Sequence, residues 1–337
     1  MPRQARVDIP GLLHHVMARG IERRVLFSNA ADYSDFLERL KSANEQYPSQ
    51  ILAWALMPNH FHLLIRSGKR GLVPFMQKLM TGYATAYNVR HKRAGHLFGN
   101  RYKSIICEEE TYLLELVRYI HLNPLRARLV KDMKDLAEFP YCGHGALLGK
   151  RLPVWQETTE VLGRFSAHPS KARANYEMFV EEGILQGKRR DLTGGGLVRS
   201  MGGVRNAVRA GRSGEREAFD SRILGSGNFV ESIIKAVKTA ETVQDRLRPK
   251  GVTLDQVAER VAEEFGLSKN QLFQKDRTAR VSKAKSLFIH IGVEYLGQTN
   301  REMALMTKMG DGAATRARLR GSNLWSSSSL VPWLEIN

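Results

Sequence analysis

The stretch ILAWALMPNHFHLLIR, residues 51–66, carries the clearest structural signal in the chain. Residues 51–57 and 60–66 are two runs rich in apolar and aromatic side chains, and only Pro58 and Asn59 separate them. Two runs of this kind joined by two turn-forming residues are typical of a β-hairpin. We therefore expect two paired strands over residues 51–66.

The neighbouring segments alternate between strand patterns and helix patterns. Strands are predicted over residues 11–18 and 102–108, and helices over residues 30–47, about 72–92 and 109–123, the last stopped by Pro124. With the hairpin, the order is βαββαβα. This order predicts an α+β fold of the ferredoxin-like kind, in which helices pack on one face of an antiparallel or mixed sheet.

The balance of charges indicates a polyanionic partner. Lys and Arg number 52 and Asp and Glu number 34, which gives a net charge of +18. Nucleic acid is the foremost candidate for such a partner. A membrane partner is not expected, because no apolar run is long enough to span a bilayer and the first residues do not form a signal peptide. A cytoplasmic location follows, and it suits two cysteines that form neither a disulfide framework nor a zinc quartet.

Composition divides the rest of the chain. Gly and Arg become dense after about residue 184, and several short helices with Gly, Ser or Asn at their junctions follow from about residue 228. Such short helices are typical of a helix-turn-helix domain, whose last helix would carry Thr315, Arg316, Arg318 and Arg320. The predicted order is an α+β domain (1–150), a helical extension (151–184), a Gly/Arg-rich linker (185–227), a helix-turn-helix domain (228–322) and a tail (323–337).

Four side chains are candidates for chemistry. His60 and His62 stand two apart in a predicted strand, so both imidazoles leave the same face and can converge on one metal ion. Tyr119 and Asn123 stand four apart in a predicted helix and share a face. Residue types and spacing also allow a plainer interpretation, with two unconnected histidines, a core tyrosine, and an asparagine chosen because Pro124 follows.

Three strings resemble one protein family. They are MPNHFHLL at residues 57–64, LFGNRYKS at 97–104 and YLLELVRYIHLNPLRARLV at 112–130. Their order and spacing resemble the REP-associated tyrosine transposases and the related single-tyrosine HUH transposases of insertion sequences. The resemblance covers residues 1 to about 150.

The resemblance implies a mechanism and roles for individual residues. Tyr119 would be the nucleophile that cleaves single-stranded, hairpin-bearing DNA, leaving a 5′-phosphotyrosine and a free 3′-hydroxyl. His60, His62 and Asn123 would hold one divalent metal ion, Mg²⁺ or Mn²⁺. Relatives of this kind act as monomers or dimers, so the oligomeric state stays open. A phenol, with an ordinary pKa near 10, is a weak nucleophile unless a metal polarises the phosphate.

Basic side chains in or beside the same strings are predicted to contact DNA phosphates. They are Arg19, Arg24, Arg101, Lys103 and Arg126. For any one of them, solvated surface charge is an equally good interpretation. Tyr83 and Tyr87, at helical spacing, are predicted to lie in the core rather than to stack on bases.

The segment from about 253 to 320 is similar to the DNA-binding domain of the bacterial chromosomal replication initiator. The Arg-Asp-His-Thr signature of that family is replaced here by GDGAATRAR at residues 310–318. We therefore predict a helix-turn-helix fold with Arg316 and Arg318 facing DNA, but not the sequence specificity of the initiator. A helical dimerisation or packing module is the alternative.

The leading functional hypothesis is a transposase that cuts and rejoins single-stranded DNA. The alternative is a domesticated, sequence-specific DNA-binding regulator that has kept the fold without transposition. An RNA-binding protein is disfavoured because the strands lack the aromatic RNP motif. A metallohydrolase is disfavoured because no set of carboxylates near the histidines could build a two-metal site.

Overall fold

The computed structural model describes residues 7–151, 153, 155–187, 189, 192, 220–246, 252–276, 278–325 and 327–336. The chain divides after Val237 into unit 1 (residues 1–237) and unit 2 (residues 238–337). Val230 and Ile233, just after the predicted boundary before residue 228, pack in a core cluster of unit 1.

Unit 1 is built on a five-stranded sheet with the strand order β2-β3-β1-β4-β5. The strands are β1 (Leu13–Arg19), β2 (Gln50–Met57), β3 (His60–Arg66), β4 (Lys103–Cys107) and β5 (Ile223–Leu224). The predicted hairpin forms, with β2 and β3 antiparallel. β1 lies between β3 and β4, antiparallel to both, and β5 pairs parallel with β4.

The short strand β5 falls inside the segment that was predicted to be a linker, residues 185–227. Its two residues are fully buried, and backbone bonds join Ile106 to Arg222 and Glu108 to Leu224. This end of the segment therefore belongs to the sheet. Residues 193–219 of the predicted linker lie outside the described residues.

The first three helices lie close to the residues where the sequence predicts them. In unit 1 the helices are α1 (Ala30–Gln46), α2 (Val73–Arg90), α3 (Glu109–His121), α4 (Asn123–Arg126), α5 (Met133–Glu138), α6 (His144–Leu147), α7 (Thr159–Gly163) and α8 (Pro169–Glu182). The next helix, α9 (Gly227–Arg246), begins in unit 1 and ends after its last residue, Val237. The Asn29 side chain caps α1 by accepting from the Asp32 amide, as expected of asparagine at a helix start. Up to α3, the strands and α-helices follow one another along the chain as β1, α1, β2, β3, α2, β4 and α3.

Helices cover both faces of the sheet, and the prediction of one covered face was wrong. On one face, Phe36 of α1 and Leu79 of α2 pack against Leu63 of β3. On the other face, Leu116 and Ile120 of α3 lie in one cluster with Leu64, the next residue of β3. The cause is that β3 is apolar at consecutive positions, which is typical of a strand buried on both sides. Tyr83 and Tyr87 are buried in the first cluster, as predicted.

A buried polar cluster links α3 to α6 and α8. The hydroxyl of Tyr176 lies 2.7 Å from Nδ1 of His121 and 2.7 Å from Nδ1 of His144. All three side chains are completely buried. Burial lowers the pKa of His144 to about 4 and raises that of Tyr176, because a charged form would lose its hydration. These rings are therefore neutral inside the folded protein.

Within its described residues, unit 2 is all helical. Its helices are α10 (Leu254–Glu264), α11 (Lys269–Leu272), α12 (Ala279–Glu294), α13 (Asn300–Met306), α14 (Asp311–Trp325) and α15 (Leu330–Ile336). Phe288 of α12 lies in its core together with Ala314 and Ala317 of α14. Residues 323–337, predicted as a tail, end in α15, whose Leu330 and Leu334 also belong to this core. None of the described helices of either unit combines the length and apolarity that a membrane span requires.

Unit 1 should lose stability in acid through His144. The pKa of His144 is about 4 in the folded state and 6.5 ordinarily, so the unfolded chain binds this proton more readily. The stabilisation by the neutral ring is therefore complete above about pH 6.5 and is lost as the pH falls towards 4. We expect His144→Gln to flatten the fall of the unfolding free energy between pH 6.5 and 4, measured by urea denaturation.

His96→Gln is the matched control, because His96 is exposed to solvent. This variant should reproduce the wild-type pH dependence. An equally steep acid dependence in His144→Gln would contradict the assignment.

Candidate functional site

Strand pairing places the two predicted metal-binding histidines beside β1. In the antiparallel register, His60 lies opposite Arg19 and His62 lies opposite Met17. The imidazole centroids of His60 and His62 are 5.2 Å apart, and the rings are nearly perpendicular at 76°. The predicted convergence of these side chains on one face of the sheet is therefore observed.

The predicted nucleophile lies against the same face. Tyr119 is half-buried in the last turns of α3. Its ring centroid is 5.9 Å from that of His62, edge to face at 82°. The ring of His15, from β1, is also 5.9 Å away at 76°. The phenol ring is thus in van der Waals range of the imidazoles of His62 and His15.

Asn123 approaches the site from a new helix. α3 ends at His121, and Asn123 opens the short α4, in which Pro124 occupies the first turn. Proline cannot donate a backbone hydrogen bond, so the break falls just before it. Within the described part of the chain, the buried Asn123 amide nitrogen has no hydrogen-bond partner. The side chain therefore has polar capacity that the protein itself leaves unused.

These side chains line one open cavity of about 670 Å³. Its lining comprises Met17, Ala18, Arg19, Gly20, Ile21, Glu22, Arg23, His60, His62, Gly99, Asn100, Arg101, Lys103, Tyr119 and Asn123. Four of these residues are basic and exposed, against one carboxylate. A cavity with this charge balance attracts an anionic ligand such as a phosphodiester.

The rim of the cavity is a tight loop after β1. An added Cβ at Gly20 would lie 2.1 Å from the carbonyl oxygen of Arg24. Glu22 and Arg23 have positive φ angles of 52° and 63°, which L residues rarely adopt. The Asn59 amide donates to the carbonyl of Arg23 over 3.1 Å. This hydrogen bond joins the basic loop to the β2–β3 turn.

Both metal-binding candidates are neutral near pH 7. Burial lowers the pKa of His60 to about 4, with a smaller contribution from Arg19. Burial also holds the pKa of His62 well below its ordinary value, followed by the influence of His15, His60 and Arg19. Neutral imidazole is the form that binds metal ions.

Each imidazole also has one nitrogen already engaged. Nδ1 of His60 lies 2.6 Å from Oδ1 of Asn59, and Nδ1 of His62 lies 3.0 Å from Nε2 of His15. Each ring is left with Nε2 to meet a ligand. Among the described residues, no group of three His, Cys, Asp or Glu side chains could hold a metal ion. A metal here would need the Asn123 amide, substrate oxygens or water besides the two imidazoles.

The predicted DNA-binding residues of unit 1 lie in three places. Arg19, Arg101 and Lys103 line the cavity. Arg24 is exposed near its rim and forms an ion pair of 3.2 Å with Glu22. Arg126 lies apart from the cavity lining, with its guanidinium 5.6 Å from the Tyr119 ring centroid.

Arg126 is engaged by the protein itself. It donates to the carbonyl oxygens of Tyr119 and Gly183 over 3.4 and 3.2 Å. Burial lowers its pKa. In this conformation Arg126 supports the end of α3 and its contact with Gly183, and its role at a phosphate stays a prediction.

Arg316 and Arg318 belong to α14 of unit 2. Arg316 is exposed, whereas Arg318 is half-buried and lies 3.7 Å from the Glu294 carboxylate. Four residues, 307–310, separate α13 from α14, and Lys308 in this turn has a positive φ of 52°. The helix-turn-helix assignment and the DNA contacts of these arginines stay predictions.

Sequence reasoning missed His15 and Arg23. His15 shares the alternation of β1 with Met17 and Arg19, which would have placed it on the face of the site had the pairing with β3 been known. Arg23 is adjacent to the predicted Arg24, and only the positive-φ turn decides which of the two faces the cavity.

A known protein family matches the part of the chain that contains the cavity. Residues 9–123 match the family described as IS200-like transposases. This match confirms the predicted resemblance for the N-terminal part of the chain. The replication-initiator-like part is not matched by that family, whose residues end before unit 2. No curated protein matches the chain.

Part of the chain is similar to solved structures. One of them is described as the REP-associated tyrosine transposase bound to a REP hairpin, and the sequences are 17% identical. The alignment covers 47% of this chain and 92% of that one, with a TM-score of 0.39.

The tight rim yields a test of the site's geometry. Gly20→Ala must push the added methyl against the Arg24 backbone, and overpacking of this kind costs about 1–3 kcal/mol. We expect a lower unfolding free energy in urea denaturation and faster amide hydrogen exchange in residues 20–24.

Gly163→Ala is the control, because an added Cβ there meets nothing within 4 Å. Unchanged stability and exchange in Gly20→Ala would show that the rim is not packed as described.

Proposed function

We propose that this protein is a metal-dependent transposase that cleaves and rejoins single-stranded, hairpin-bearing DNA through Tyr119. One observation carries the proposal: Tyr119, His60, His62 and Asn123 line the same basic cavity. The match of residues 9–123 to IS200-like transposases supports it. Hairpin DNA as substrate rests on the resemblance of the sequence motifs to the REP-associated tyrosine transposases.

The chemistry is a transesterification. The Tyr119 hydroxyl oxygen attacks the phosphorus, the P–O3′ bond breaks, and a 5′-phosphotyrosine forms beside a free 3′-hydroxyl. The phenol gives up one proton and the departing 3′-oxygen takes up one, so the step needs neither an oxidant nor ATP. Attack by the 3′-hydroxyl of a second DNA end reverses the step and joins the strands.

The donor set fits a divalent cation. His60 and His62 offer neutral imidazole nitrogens. The amide nitrogen of Asn123 has no hydrogen-bond partner among the described residues, and rotating this amide would bring its oxygen to the same place. Two imidazoles and one amide suit Mn²⁺ somewhat better than Mg²⁺. When bound, the ion would polarise the scissile phosphate and stabilise the leaving oxygen.

The basic residues hold the substrate. Arg19, Arg101 and Lys103 line the same cavity as Tyr119 and would contact phosphates on either side of the cleaved bond. Such contacts position the strand and are independent of its sequence. The proposal assigns them to the approach and alignment of DNA. In the same proposal, Arg316 and Arg318 of unit 2 provide a further DNA contact.

Tyr119→Phe should abolish the covalent protein–DNA adduct while leaving DNA affinity within about twofold. The phenylalanine keeps the ring and its packing but has no oxygen to attack phosphorus. The assay incubates the full chain with labelled single-stranded hairpin DNA and Mn²⁺ and separates adducts on denaturing gels.

Tyr112→Phe is the matched control, because Tyr112 lies earlier on the same helix and packs against the core. It should form adduct at the wild-type rate. If wild-type protein binds the hairpins tightly and no adduct forms with any metal, the regulator hypothesis replaces the transposase.

His60→Ala and His62→Ala should each weaken Mn²⁺ binding and cleavage together. Loss of one ligand from a small donor set is expected to lower metal affinity by at least about tenfold, the lower end of the range for losing even an outer partner. Electron paramagnetic resonance titration of Mn²⁺ measures the binding, and the adduct assay measures cleavage.

His96→Ala serves as control, since this histidine is exposed and lies outside the cavity lining. Wild-type Mn²⁺ affinity in both alanine variants would remove these histidines from the metal site.

A further inference from the structure

A chain of hydrogen bonds runs behind His62. Nδ1 of His15 lies 3.0 Å from the carbonyl oxygen of Leu192, and Nε2 of His15 lies 3.0 Å from Nδ1 of His62. The two rings stack with centroids 5.2 Å apart at 25°. His15 is completely buried and His62 is 5% exposed. His15 is thus hydrogen-bonded through both ring nitrogens and His62 through Nδ1.

The direction of each bond follows from the carbonyl. A carbonyl oxygen can only accept, so the proton of His15 is on Nδ1. In the neutral ring that burial favours, Nε2 then carries the lone pair and accepts. His62 must donate from Nδ1, which leaves the lone pair of its own Nε2 for a ligand.

Asn59 does the same for His60. Its amide nitrogen donates to the carbonyl of Arg23 over 3.1 Å, so its oxygen is the atom that faces Nδ1 of His60 at 2.6 Å. An amide oxygen accepts, and the proton of His60 is therefore on Nδ1. Both histidines consequently offer Nε2.

We propose that His15 is a positioning residue that holds His62 in the Nδ1–H tautomer, as Asn59 does for His60, so that both rings present Nε2 to the metal. The part concerning metal rests on the proposed function. The tautomer itself does not, because it is a property of the metal-free protein. Outer partners of this kind fix the ring orientation and raise the basicity of metal-binding histidines.

Leu192, whose carbonyl accepts from His15, is itself buried in the core. The Leu192 side chain is 1% exposed and packs in the same core cluster as Leu13 and Leu64. These two residues lie on the strands that carry His15 and His62. The acceptor for His15 is therefore fixed by packing.

Two substitutions separate the two bonds of His15. The amide of glutamine reaches about as far as Nε2, so His15→Gln can still accept from His62. The amide of asparagine lies nearer the backbone, at about the position of Nδ1, so His15→Asn can donate to Leu192 but cannot reach His62. The first variant keeps the proposed function of His15, and the second removes it.

The first measurement is nitrogen NMR of the metal-free full chain labelled with ¹⁵N-histidine. We expect the Nδ1–H tautomer of His62 in wild type and His15→Gln, and a shift towards Nε2–H in His15→Asn. Finding His62 as Nε2–H in the wild type would overturn the proposal, whether or not any variant folds.

The second measurement is Mn²⁺ titration of the same proteins. We expect His15→Asn to bind Mn²⁺ about 10- to 100-fold more weakly than wild type, with His15→Gln within about threefold. Equal affinity and an equal tautomer in wild type and His15→Asn would also overturn the proposal. If wild type binds no Mn²⁺, the proposed metal dependence fails, while the tautomer of His62 still decides the role of His15.

His14 supplies the matched controls. It is the preceding residue of β1, is equally buried, and pairs with Ser104 at 2.9 Å. His14→Gln and His14→Asn remove a buried imidazole from the same strand without touching His62. They should leave the His62 tautomer and Mn²⁺ affinity unchanged, and a change equal to that in His15→Asn would reduce His15 to a structural role.

Discussion

The register between β1 and β3 is the constraint on which the site depends. Pairing of His60 with Arg19 and of His62 with Met17 puts imidazoles and a guanidinium at the same end of the sheet. A shift of either strand by one residue would turn that strand's side chains to the opposite face and separate the histidines from Arg19. The large side chains of both faces, such as Phe61 and Leu64, are completely buried, so such a shift would also expose core. Core packing and site geometry are thus secured by the same pairing.

Local patterns were sufficient to predict β1 to β4 and α1 to α3, and to single out the four residues that line the cavity. Alternation placed His60 and His62 on one face, and helical spacing brought Tyr119 and Asn123 near each other even though the helix breaks between them. Each of these inferences concerns residues within a few positions of one another. Over this range, the periodicity of a strand or a helix determines the direction in which each side chain points.

What could not be predicted depends on distant partners. His15 and His62 are 47 positions apart, and their hydrogen bond exists only because β1 inserts between β3 and β4. β5 has two residues and no periodicity to reveal it. For Arg126, a phosphate contact and a contact with the Tyr119 ring require the same residue type, so sequence alone does not distinguish them. The helices that cover the two faces of the sheet likewise come from segments that are distant in sequence from some of the strands that they contact.

The two ends of the segment from Leu192 to Asp220 are held in one unit. The carbonyl of Leu192 meets His15 on β1, and the residues after Asp220 pair with β4, the neighbouring strand. Leu192 and Leu224 also lie in one core cluster, so folding of unit 1 has to bring together two parts of the chain that the sequence separates. Closure entropy grows only slowly with length, by about 0.6 kcal/mol for each doubling. Insertions and deletions between these two parts would therefore change the cost of folding unit 1 only slightly.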